Sequence, residues 1–189
     1  LTQRNLQLAT LTGRSDIVYP DRRGTILQEN LRIAEFLSRM GAQSLILETG
    51  SREILESIRD DFRVAAETLN ELGKRCGEYD LYFCIQPRLG DRIQNEDEID
   101  RILNLVNTND VALCLDVGQL YRSEQDPVRI AKVYGSCIRH LHCRDVPHPP
   151  LPGEESRAFV RDFCPPGQGV ADFPGLADVV QSLNDIQWI

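Results

Sequence analysis

The sequence has little of what would assign it to several large functional classes. Its 189 residues are 41% hydrophobic, yet no apolar run approaches the roughly 18 residues a membrane span needs. No positively charged segment leads into an apolar stretch, so no secretory signal is visible. Lys and Arg number 21 against 29 Asp and Glu, and no basic cluster relieves the net charge of −8. Duplex nucleic acid draws its affinity from cations neutralising phosphates, so it is not an expected partner. A small, neutral or metal-chelated ligand fits better. None of the six cysteines forms a C-x-x-C pair, which removes zinc ribbons and thioredoxin-type redox motifs. Unpaired thiols within apolar runs behave as small hydrophobes, and a reducing cytoplasm is the expected location. Histidine is scarce, with three in the chain.

What is present alternates. β-rich runs occur at 6–11, 44–47, 80–85, 111–116, 138–143 and 186–189. Between them lie segments of helical periodicity, such as Leu27, Leu31, Ala34 and Leu37, then Ile99, Ile102, Leu103 and Val106. Leu176, Val179, Val180 and Leu183 repeat that spacing. Asn95 with Glu98 reads as a capping box, and Asp126 before Pro127 as an N-cap ahead of a proline that costs nothing there. Asp172 is expected to cap the helix after it, and Gly41 and Gly135 suit C-terminal caps. The proline-rich stretch 146–153 reads as a rim loop or lid.

Strands alternating with helices predict right-handed βαβ units and a parallel sheet, either open or closed into a barrel. No Gly-rich phosphate loop follows the first strand. Instead Glu48, Gln86, Arg88, Asp116, Gln119, His142 and Arg144 gather at C-terminal strand ends, where a (β/α)8 TIM barrel collects its catalytic groups. The expectation is one α/β domain over 1–189, a barrel incomplete at both ends.

Four groups of residues could carry chemistry. Asp116 ends a buried strand two residues before a glycine, which suits a metal or a substrate hydroxyl; the alternative is an N-cap or loop-stabilising aspartate. Alternation sends His140, His142 and Arg144 to one face, as a metal or proton-transfer site needs, or as one core and one surface histidine would. Cys84, Gln86 and Arg88 share a face too; Gln and Arg bind hydroxyls and carboxylates, or form a solvated rim. Gln168, in the turn PPGQG, would project a neutral amide.

The string LCLDVGQLYRSEQDPVRIAKVYGSCIRHLHCRDV (113–146) resembles the central signature of the xylose-isomerase-like sugar isomerase/epimerase superfamily, whose pattern is L-D-T-G-H, a D-P-opened helix, then H-x-H-x-K-D. QPRLGDRIQNEDEIDRIL (86–103) and PGQGVADFPGL (166–176) are similar to the units flanking that signature. The resemblance implies a chain running from about the second barrel strand into the eighth. It also implies one divalent ion (manganese, magnesium, cobalt or zinc) held by a Glu, an Asp, a His and a second Glu. Asp116 matches the aspartate and His142 the histidine. The first glutamate falls at or near Cys84, and the second beyond Ile189. Gln119 replaces a histidine, Gln86 with Arg88 an H-x-H, and Arg144 a common lysine. With Cys84 as thiolate, zinc would suit the site.

The implied activity is isomerisation, epimerisation or dehydration of a small polyhydroxylated or keto substrate, by metal-assisted proton transfer beside a carbonyl. Glu48, His142 and Arg144 are then the catalytic candidates, with Gln86, Arg88, Gln119, His140 and Gln168 binding substrate. Glu48 reads alternatively as a surface acid preceding a helix. A second possibility is a metal-depleted barrel that binds a metabolite or serves in an assembly, and a homo-oligomer is compatible with either. The related apurinic endonuclease branch, which needs several metals and a cationic track, is disfavoured.

Overall fold

The computed structural model describes residues 4–52, 61–147, 163–183 and 185–189. The strands are β1 (Thr10–Arg14), β2 (Ser44–Glu48), β3 (Tyr82–Gln86), β4 (Val111–Asp116) and β5 (Ile138–His142). They form one parallel sheet in the order β1-β2-β3-β4-β5. The connecting helices are α1 (Arg23–Arg39), α2 (Asp61–Gly77), α3 (Glu96–Leu103), α4 (Val117–Arg122) and α5 (Pro127–Tyr134), and α6 (Phe173–Val180) follows β5. This is the sheet-and-helix pattern of a partial (β/α) barrel. No described helix is long and apolar enough to cross a membrane.

Alternation along each strand divides the core in two. Leu45, Leu47, Phe83, Ile85, Leu113 and Leu115 face the helices and join a large cluster with Leu37, Leu69, Leu72, Ile99 and Ile130. The opposite face carries a small separate cluster of Ile46, Cys84, Ala112 and Cys114. Both faces of the sheet are therefore covered, as the continuous apolar runs of β2 and β4 require.

Helix starts follow their local chemistry. Asn95 and Glu98 form the reciprocal capping box, and Asp126 accepts from the N–H groups of Val128 and Arg129. Asp172 accepts from Gly175 N–H. Gly41, just beyond α1, has φ +69°, a left-handed conformation that glycine adopts without a Cβ penalty.

Several boundaries differ from the sequence reading. The first strand is Thr10–Arg14 rather than 6–11, because its partner begins at Ser44 and pairs Thr10 with it; Leu6 is exposed. The third strand starts at Tyr82, since Asp80 has φ +57° and cannot be extended. The run at 186–189 contributes one bridge, between Trp188 and His140. Gly135 does not take a left-handed cap; a Cβ there would lie 2.6 Å from Leu183 Cδ2, so close packing explains the glycine. Of the rim stretch 146–153, all but Val146 and Pro147 lies outside the described residues.

Candidate active site

Register sets which side chains meet. Arg14 pairs with Glu48, Glu48 with Gln86, and Asp116 with His142. These inward residues form a layer at the C-terminal strand ends, above the layer of Ile46, Cys84, Ala112 and Cys114. A cleft of about 620 Å³ opens over them, lined by Thr12, Glu48, Gln86, His140, His142 and Arg144 among others.

Asp116 is the buried centre, with no exposed surface. It caps α4, its Oδ1 accepting from Gln119 N–H at 3.0 Å. The N-cap expected of this residue is therefore present, and the same carboxylate takes further donors. Gln86 Nε2 donates to Oδ2 at 2.9 Å. Arg144 Nε lies 3.0 Å from Oδ1 and 2.8 Å from Oδ2, and Nη2 also donates to Oδ2. His142 Nδ1 stands 3.8 Å from the same oxygen.

The two histidines meet edge to face, with ring centroids 5.1 Å apart. Burial, then the neighbouring His142, pushes His140 down to about 4. His140 is thus a neutral wall of the cleft, 3.4 Å from Ser44 Oγ. Burial also lowers His142; Asp116 and Glu48 oppose that shift and Arg144 adds to it. His142 is accordingly a neutral imidazole at pH 7, able to accept a proton.

The wall opposite is a charge network. Glu48 accepts from Arg14 Nη1 at 2.8 Å and from Arg88 Nη1. Arg14 Nη2 donates to Asp91 at 2.8 Å. Arg88 therefore holds Glu48 rather than lining the cleft. Burial raises the Asp91 carboxyl, with Arg14 working against it.

Beyond the strand ends, Asp145 anchors the turn that carries Gln168. Its carboxylate accepts four backbone N–H groups: Val146 at 2.8 Å, Gly167 at 3.1 Å, Gly169 at 2.8 Å and Ala171 at 2.9 Å. Gly169 is required there, because a Cβ would fall 2.0 Å from Val146 O. Gln168 itself is exposed and is not among the cleft residues. Gln119 is buried and reaches the site through its backbone N–H.

Arg14, Asp91 and Phe163 were not legible as site residues in the sequence. Phe163 lies under the Arg144 guanidinium, 4.1 Å from its centre to the ring centroid. The nearest signal was Gly118, where a Cβ would come within 2.6 Å of Phe163 Cε1.

The described residues do not fit the implied divalent ion. Both Asp116 oxygens already accept from a guanidinium and a second donor. The β3 side chain that reaches Asp116 is the Gln86 amide, and not that of Cys84, near which the resemblance places the first glutamate. Cys84 lies two residues deeper, wholly buried in the apolar cluster with Ile46, Ala112 and Cys114, where burial pushes its thiol up to about 12. Among the described residues, no three His, Cys, Asp or Glu side chains gather as a metal-holding group. An ion about 4 Å from the Arg144 guanidinium would also meet about 8 kcal/mol of repulsion at an effective dielectric near 20.

Comparison with known proteins agrees with this architecture. The inosose dehydratase of Clostridium beijerinckii is 26% identical over 208 residues, covering 100% of this chain and 70% of the relative. The probable 3-DHS dehydratase AsbF of Bacillus anthracis superposes with a TM-score of 0.79 at 12% identity, over 100% of this chain and 71% of its own. The IOLI protein, whose structure has a bound zinc atom, superposes with a TM-score of 0.76 at 16% identity, over 96% and 66% of the two chains. At such identities these two structures show the fold alone. The model of the xylose isomerase-like TIM barrel matches residues 1–188, and this chain belongs to that family.

Proposed function

We propose that the cleft binds a small polyhydroxylated or keto substrate and moves a proton next to its carbonyl, as an isomerase, epimerase or dehydratase. The observation that carries this reading is the pairing of a neutral imidazole, His142, with a guanidinium, Arg144, on one buried carboxylate. A C–H beside a carbonyl is acidified when positive charge faces the carbonyl oxygen. Arg144 supplies that charge, and His142 takes the proton as general base.

The enolate that results can follow three courses. Return of the proton to the neighbouring carbon completes an isomerisation, with the hydroxyl proton moving to the former carbonyl oxygen. Return to the opposite face of the same carbon epimerises it. Loss of a β-hydroxyl, leaving as water once protonated, gives dehydration. Glu48, on the facing wall, is the second acid–base candidate, held in place by Arg14 and Arg88. Gln86 presents an amide beside Asp116 for a substrate hydroxyl. The dehydratase outcome draws support from the relative named inosose dehydratase, which makes a cyclic keto polyol the first substrate to try.

The test is hydrogen–deuterium exchange at the carbon next to the carbonyl, followed by NMR in D₂O with an inosose and with simple ketoses. Exchange by the wild type and its loss in His142→Ala is the expected result. Saturable ligand binding with no exchange would instead favour a non-catalytic metabolite-binding barrel. That second reading has one observation in its favour, the confinement of Glu48 between two guanidinium groups.

A further inference from the structure

We infer that the Arg144 guanidinium is the resident cation of Asp116 and takes the place of a divalent ion, so that this pocket works without metal. The inference rests on the cleft being a substrate site and concerns what balances its buried charge. A carboxylate with no exposed surface needs a cation or several donors, since an isolated buried charge is strongly disfavoured. Arg144 meets that need with its fork, Nε reaching both oxygens and Nη2 one of them. The remaining sides of the carboxylate are taken by Gln86 Nε2 and Gln119 N–H.

The guanidinium is itself fixed. Phe163 stacks beneath it, and Gly118 leaves the space that ring needs. Phe163 also packs beneath the Arg122 guanidinium, 5.2 Å from the ring centroid, which further restrains the ring. Admitting an ion to Asp116 would require Arg144 to leave its stack and its fork together. Among the described residues no acidic cluster rewards that exchange, and Gln86 occupies the adjacent strand end with a nitrogen turned toward Asp116.

The experiment compares the wild type with the double variant Arg144→Ala, Gln86→Glu, each stripped with EDTA and dialysed. Each is titrated with MnCl₂ and with ZnCl₂ by calorimetry, and retained metal is measured after gel filtration. The wild type is expected to retain no stoichiometric metal, and the double variant to gain a saturable site that Asp116→Asn abolishes. Stoichiometric binding by the wild type, lost in Asp116→Asn, would overturn the inference. So would failure of a folded variant to gain metal, because Arg144 would then not be what excludes the ion. Circular dichroism checks folding, and Arg144→Ala alone serves where the double variant does not fold. Turnover plays no part in this readout. Metal binding by the wild type would leave the proton-transfer reading intact, and absence of exchange chemistry would leave the arginine assignment intact.

Discussion

Replacing Asp145 by Ala should destabilise the protein severely, although the residue lies outside the hydrophobic core. The residue has no exposed surface, and it gathers the N–H groups of Val146, Gly167, Gly169 and Ala171. Bonds to a charged group contribute about 1.5–3 kcal/mol each when formed, and a buried donor left unsatisfied costs about 1–3 kcal/mol. Gly167 is exposed and regains water, whereas Val146 is buried and does not. Gly169 and Ala171 fall between these extremes. With partial rehydration of the turn, the loss should be about 3–5 kcal/mol, which is severe for a domain of ordinary stability. For a chain of this length that corresponds to a melting point lower by about 6–20 °C. Thermal unfolding followed by circular dichroism gives the number, and amide exchange at residues 167, 169 and 171 locates it. A loss below about 1 kcal/mol, with those amides still protected, would show that the turn holds itself. The pH dependence has a defined sign. Burial alone would raise the Asp145 carboxyl, but its four backbone donors outweigh burial and hold it below the ordinary value. Its contribution is therefore complete above about pH 4, the unfolded value, and is lost as pH falls below that.

Three further outcomes are expected. His140, pushed down to about 4, should make folding stability decline as pH falls from about 6.5 toward 4, because only the unfolded state takes up the proton there. His140→Gln should flatten that slope in chemical denaturation. Gly118→Ala should push Phe163 off the Arg144 guanidinium, since the new Cβ would fall 2.6 Å from the ring. The cost should be about 1–3 kcal/mol, with a larger fall in activity than in stability, readable as kcat against melting point. Asn95→Ala removes the capping box of α3 and should cost about 1 kcal/mol by urea unfolding without altering ligand binding.

The fold was largely legible because local chemistry and the final structure agree where elements are long or capped. β4 occupies 111–116 as read, its apolar run ending on Asp116. The starts of α3 and α5 follow from Asn95 and Asp126, whose side chains act within their own helix turn. The site was legible only in part. His140, His142 and Arg144 come together because one strand and its end deliver all three. Cys84 and Gln86 also share a face as alternation requires, but the stagger of β3 against β4 decides which of them reaches Asp116. Sequence spacing carries no information on that stagger. The partners of Arg14 are 34 and 77 residues away, and Phe163 meets Arg144 across a segment outside the described residues. Such contacts are set by strand register and by the packing of loops beyond the strand ends rather than by any local pattern.

The ion network around Glu48 bears on how a ligand arrives. Arg14 and Arg88 face Glu48 and Asp91, Arg144 faces Asp116, and the two histidines are held neutral. Positive and negative charges at the mouth thus cancel over a few ångströms, within a Debye length of about 8 Å at physiological salt. Such a mouth exerts almost no long-range pull on a charged solute, and association should change little with ionic strength. Capture then depends on directional hydrogen bonds at short range, a regime in which an uncharged polyol competes well against an abundant phosphate ester.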